Sequence, residues 1–278
     1  MIQDLLSQLS AGANTLPVFR NSAQRVLVLA ADSACKPSDW IRTIYRDPIL
    51  TLKVLKVVNS PHYNLNHKIT SAEQALVHMG INPIKNLLLP LASSAEFIED
   101  KSTDFDLNQY LLYLLCVAHI SKRLALQLEC ADPTECFVAG LLHDFGKLVI
   151  ARTVPHQFSQ ALAHSRTGGG SLRDALQLSL QMDYATLSAH CMQQWHFPGS
   201  LVHAVLVQHQ AHANDMNICV FAAIQITKHL NFGFGGDNYI MPFSGMVQDR
   251  LGGSLEQVVA SMGYLDAMLQ EIRTLAQV

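Results

Sequence analysis

Between Leu107 and Leu124 the chain has no polar helix face. Leu107, Tyr110, Leu111, Leu114, Leu115 and Ala118 recur at three- and four-residue spacing, while Tyr113, Val117, Ile120 and Leu124 fill the opposite side. A helix that is apolar all round cannot lie on a surface; other elements must wrap it. The rest of the chain therefore has to supply a shell, and 278 residues are enough for one around a dry core.

The shell reads as helices separated by strong punctuation. Leu5, Leu6 and Leu9 share a face before Asn14-Thr15-Leu16-Pro17 breaks the pattern, and a second apolar stretch runs from Arg20 to Ala31. Ser38 is expected to cap a segment carrying Trp40, Ile41 and Ile44. Asp47-Pro48 ends that segment and opens another, because proline is tolerated in a first turn. Leu52, Leu55 and Val58 line its inner side up to Asn59-Ser60-Pro61.

Thr70 with Glu73, and Ser71 with Gln74, form overlapping capping boxes for a helix that stops at Gly80. Asn82-Pro83 opens the next, which runs toward Phe97 with Pro90 inside it. Glu99 to Asp104 is the clearest polar break, and it divides an N-terminal helical subdomain, 1–104, from a second, 105–278. Later boundaries fall at Asp132-Pro133, Pro155, Gly168-Gly169-Gly170, Pro198-Gly199, the capping box Ser254 to Gln257, and Gly263. Asn231 to Asp237 reads as a flexible loop, since its glycines lack the Lys-Ser/Thr ending of a phosphate-binding loop. No segment reads as a strand, so the expected architecture is an all-α multi-helix bundle.

Charged residues make up 15% of the chain and the formal net charge is -3. With no dense Lys/Arg block, a nucleic-acid surface is not expected. The low charge content, against about 25% in ordinary domains, suits uncharged contact surfaces for protein partners or a homo-oligomer. Six cysteines without metal-ligand or disulfide spacing suggest reduced thiols in a cytoplasmic protein. No apolar run is read as reaching the roughly 18 residues of a membrane span, and the N-terminus reads as amphipathic rather than as a signal peptide.

The best site candidate is His143-Asp144, set inside the apolar run from Phe137 to Ile150. Burying each polar group unpaired would cost roughly 2–7 kcal/mol, so both need partners. An imidazole and a carboxylate suit a divalent metal ion, which would need further ligands. Equally, His143 can hydrogen-bond within the core while Asp144 pairs with Lys147. Gly140 and Gly146 bracket the pair, and glycines in a helix suggest close backbone approach.

Gly140 to Leu148 closely resembles the central motif of the HD superfamily of metal-dependent phosphohydrolases. Further stretches resemble its HDOD (HD-related output) branch: Arg46 to Leu50, Val57 to Ser60, Ile69 to Leu76 with Met79-Gly80, Leu187 to Pro198, and Gln208-His209. The resemblance spans about residues 14 to 230 and implies an HD-like bundle. It also implies an upstream His, the pair at 143 and 144, and a distal Asp as metal ligands. Those outer positions fall here at Tyr113 and near Thr227, and a further family His at Tyr184.

The resemblance thus implies a non-catalytic HDOD module acting on signalling proteins in bacterial signal transduction, with no cofactor required. The alternative is a phosphohydrolase with an altered ligand set, in which His119, His190, His196, His203 or His209 completes a metal site with His143 and Asp144. A third reading is a nucleotide sensor without turnover. Lys147 would contact phosphate only in an open pocket.

Overall fold

The computed structural model describes residues 2–32, 34–94, 105–129, 131–168, 170–210, 214–263 and 265–276. Six helices come first: Ile2–Asn14, Arg20–Ala31, Pro37–Tyr45, Pro48–Val58, Ala72–Met79 and Ile81–Ala92 (α1–α6). The central helices are Leu107–Leu128, Pro133–Leu142 and Phe145–Thr153 (α7–α9), followed by Pro155–Gly168, Leu172–Leu180, Tyr184–Gln194 and Gly199–Leu206 (α10–α13). Asp215–His229 is α14, and Gly245–Leu251, Leu255–Ser261 and Leu265–Ala276 are α15–α17. No strand occurs among the described residues, and the fold is all-α. The polar break from Glu99 to Asp104 lies outside the described residues.

Helix α7 is the axis, as its two-sided apolar pattern requires. Tyr110, Tyr113, Leu114, Val117, Ile120 and Leu124 are all buried, and α8, α14 and α17 pack around them. By length and composition α7 is long and apolar enough to cross a membrane, which revises the sequence expectation that no run reaches that length. Its apolar window is 61% buried by its own neighbours, so here it is a core helix. From the N-terminal side, α1 packs on α9 and α12 while α4 packs on α8. Both therefore seat against the α8–α9 junction.

Local chemistry sets the helix starts. Asp47, Ser71, Asp132, Ser171 and Ser254 each accept backbone N–H bonds in the first turn they precede, satisfying donors that have no partner within the helix. Ser38 is not a cap: Lys36 takes that place, Pro37 is the first helical residue, and the Asp39 carboxylate accepts from the Lys36 N–H at 2.9 Å. Proline at the first position displaced the start by two residues. Likewise α6 begins at Ile81, ahead of Asn82-Pro83, because Gly80 at φ 78° makes the turn between α5 and α6. The fold keeps Pro90 inside α6.

Candidate functional site

His143 and Asp144 lie at a junction rather than inside one helix: α8 ends at Leu142 and α9 begins at Phe145. The side chains are thus not bound to the 100° separation of helical neighbours, and His143 Nε2 lies 3.2 Å from Asp144 Oδ2. The junction fits because its flanking glycines let backbone come close. A Cβ on Gly140 would sit 2.9 Å from the Ala118 Cα, and one on Gly146 only 2.3 Å from the Tyr184 carbonyl oxygen. The Gly146 N–H donates to Ser188 Oγ at 2.9 Å, and that hydroxyl donates to the Tyr184 carbonyl. Ser188 of α12 thereby caps α9, a task Asp144 does not perform with its side chain.

Asp144 is turned toward charge. Lys147 forms a buried ion pair with Asp144 Oδ2, the oxygen that also faces His143, and donates to the Gly235 carbonyl at 2.6 Å. The ammonium lies 4.2 Å from the Tyr184 ring centre and 5.6 Å from that of Tyr113, both favourable faces for a cation. His143 places Nδ1 2.6 Å from the Gly140 carbonyl and Nε2 3.3 Å from the Tyr113 hydroxyl. Tyr110 donates to the Asp144 carbonyl and Gln208 to that of His143. His143, Asp144 and Lys147 are each at most 1% exposed.

These contacts fix the electrostatics. Burial pushes the Asp144 carboxyl up, but the adjacent His143 and Lys147 outweigh it and hold it well below the usual carboxylate range. For Lys147 burial wins, and its pKa is lowered despite Asp144 and Asp237. Burial raises Tyr113 and Tyr184 far above the ordinary phenol, so both stay neutral.

Tyr113, Lys147 and Tyr184 thus come together around the pair. Thr227 is buried on α14 beside the Cys116 thiol, one turn of α7 beyond Tyr113. Of the candidate histidines, only His209 adjoins the site, packed edge-on against Tyr184 at 5.5 Å. His119 packs on Phe137, His190 lies beside Gln194, and His203 lies beside Asn217. Among the described residues, no three His, Cys, Asp or Glu side chains group as a metal-ligand set. Asp144 Oδ2, the carboxylate oxygen that faces His143, is engaged by the lysine ammonium. Of the donors a divalent ion would need, the described residues supply His143 and Asp144, with His209 across Tyr184.

The loop from Asn231 to Asp237 is not the flexible connection expected of it. It packs into the bundle as a plug: the Phe234 N–H donates to the Gln109 carbonyl at 2.9 Å, and Gly235 lies against the Tyr113 ring. At Gly233, φ 71° and a Cβ position 2.4 Å from the Tyr113 backbone nitrogen both demand glycine. Asp237 closes the loop, paired with Lys228 and accepting from the Leu172 N–H at 3.0 Å. Beyond Tyr184 and His209, a cavity of about 140 Å³ reaches Lys228 and Asp237 but not the His-Asp pair. Sequence reasoning missed Gly235, Asp237, Lys228 and Ser188; the run of glycines ending in an aspartate was the available signal.

Known proteins share this fold. The MmoQ response regulator from Methylococcus capsulatus str. Bath has a similar structure, with a TM-score of 0.70 at 19% identity, over 91% of this chain and 97% of that one. An HDOD domain protein of unknown function from Geobacter sulfurreducens gives 0.54 at 21% identity, over 99% and 98%. An uncharacterized protein of Treponema pallidum (strain Nichols) is 24% identical over 179 residues, which are 62% of this chain and 33% of that protein. The chain therefore spans about one third of that relative's length. The family model of the HDOD domain matches residues 16–211. With well over half its length inside that match, the chain belongs to the HDOD domain family.

Proposed function

We propose that this chain is a non-catalytic HDOD module that works through protein contacts in bacterial signal transduction. One observation carries the reading: Lys147, a residue of the chain itself, supplies the positive charge at Asp144. A fixed ammonium, already engaged by Asp144 and the Gly235 carbonyl, neutralises the carboxylate but offers no coordination position at which a metal would activate a water. Tyr113, Tyr184 and the Gly233–Asp237 plug then keep solvent and substrate from the pair. The low share of charged residues, 15%, leaves uncharged surface that suits contact with signalling proteins or a second copy. The response-regulator name of one structural neighbour points the same way.

Two orphaned buried atoms, Asp144 Oδ1 and His209 Nε2, favour the competing reading of a metal-dependent phosphohydrolase. Thermal unfolding of metal-stripped protein with Mn²⁺, Fe²⁺, Mg²⁺ or Zn²⁺ separates the two. A bound ion at 100 times its dissociation constant stabilises by about 2.7 kcal/mol, several degrees at this size. The expected result is no shift for the native chain. A shift that vanishes in His143→Ala, together with phosphoester turnover, would establish the hydrolase instead.

A further inference from the structure

A second cleft, of about 200 Å³, opens on the other side of α7, where α3, α8 and α17 meet. Its wall is aromatic: Phe137 packs edge-on against Tyr45 at 5.0 Å and against His119 at 5.2 Å. Arg42 and Arg46 line its α3 side. Among the described residues Arg46 has no carboxylate partner, and its buried Nε has no hydrogen-bond partner. Partial burial and the like charges of Arg25 and Arg42 pull the Arg46 pKa down, so the guanidinium sits beside like charge with its Nε covered. Arg42 has only a loose contact with Asp39 at 4.0 Å. Of the two carboxylates in the cleft, Glu73 is engaged by the Tyr45 hydroxyl and Glu271 stands on α17.

A guanidinium with an unfilled donor is completed by an oxyanion, and a ring wall beside it is completed by a flat apolar group. The geometry points to a binding site for a small aromatic anion in this cleft, with its carboxylate or phosphate on Arg42 and Arg46 and its ring against Phe137. The volume lies below the 300–1,000 Å³ of ordinary drug-sized pockets, so one ring and one anionic group fill it. Such a ligand touches α3, α8 and α17 at once. It would tie the C-terminal helix to the N-terminal helices, and α8 runs from this cleft to His143. This site is separate from the Lys147 pair and does not depend on the function proposed above.

The test is calorimetric titration of the full chain with phenyl phosphate, benzoate and inorganic phosphate, repeated on Arg46→Gln, Arg42→Gln and Phe137→Leu. Saturable binding of phenyl phosphate or benzoate is expected with a Kd of about 1 mM or tighter, weakened about tenfold in either arginine variant. Arg42 is exposed, so its variant remains informative even if Arg46→Gln fails to fold. Inorganic phosphate should bind at least about tenfold more weakly than phenyl phosphate, and Phe137→Leu should remove that advantage. No saturation by about 10 mM of either aromatic anion, or equal affinity in Arg42→Gln and native protein, overturns the site. Equal binding of inorganic and phenyl phosphate overturns its aromatic half.

Discussion

Two aspartates occupy matching places, each between consecutive helices, and are stabilised by opposite means. Asp47 stands between α3 and α4, Asp144 between α8 and α9, and both are buried. Asp47 serves backbone: it accepts from the N–H groups of Ile49 at 2.7 Å, Leu50 at 3.2 Å and Phe19 at 2.9 Å, and no cation among the described residues pairs with it. Asp144 makes no cap with its side chain and faces Lys147 and His143 instead. The difference separates a junction organised by secondary structure from one that keeps the charge arrangement of a site. At Asp47 burial outweighs the three donors and the carboxyl is pushed up to about 6, whereas at Asp144 the neighbouring cation wins.

Breaking the charge pair should have the largest effect. Lys147→Met leaves Asp144 buried without a counter-charge and should cost about 3–5 kcal/mol in urea unfolding. Combining it with Asp144→Leu should recover most of that loss, because two apolar groups can replace a buried pair nearly neutrally. If the double variant is as unstable as the single, the Lys147–Asp144 pair does not set the stability of the junction. Asp144→Asn should also be costly, since it strands the ammonium. Asp47→Asn strands no charge, but its amide nitrogen replaces one of the two accepting oxygens and opposes a backbone N–H, so it should cost about 1–3 kcal/mol at neutral pH.

The next effect sharpens the contrast through pH. Because the folded-state pKa of Asp47 lies above the roughly 3.9 of an unfolded chain, folding takes up a proton between those values. Its contribution is fully present below about pH 4 and is lost as pH rises through about 6. The difference in unfolding free energy between native protein and Asp47→Asn should therefore fall by about 2–3 kcal/mol from pH 4 to pH 7. A flat difference would mean that the three N–H donors compensate burial completely. Asp144, held low, should give no such loss on the alkaline side.

What could be read in advance followed the range of the interaction. The α7 core pattern, the helix starts at Asp47-Pro48 and Asp132-Pro133, and the caps at Ser71 and Ser254 are legible, since periodicity, proline and capping act within a few residues. Ser38 misled because Pro37, one residue earlier, was the stronger start signal. At the site, the pairing of Asp144 with Lys147 was one of two open readings, and three residues of separation do not decide between a metal and a lysine. The plug was not legible. Gly235 reaches Lys147 across 88 residues, and Asp237 reaches Leu172 across 65. Nothing local to a glycine run tells a mobile loop from one whose missing side chains admit another helix.

Two glycines that both have positive φ turn that last point into the smallest of the expected effects. Gly80, between α5 and α6, has φ 78° and ψ 170° and nothing within 4 Å of the place a Cβ would take, so Gly80→Ala meets only backbone strain, about 1–3 kcal/mol in a region that glycine alone adopts freely. Gly233, in the plug, has φ 71° and adds a backbone nitrogen 2.4 Å away, which cannot move without shifting α7. Gly233→Ala should therefore add about 1–3 kcal/mol of overpacking to its backbone strain, a component that Gly80→Ala lacks. It should also speed hydrogen exchange at the Phe234 amide, whose bond to the Gln109 carbonyl anchors the plug. Equal losses in the two variants, with Phe234 exchange unchanged, would mean that the loop yields easily and that the lysine stays covered without it.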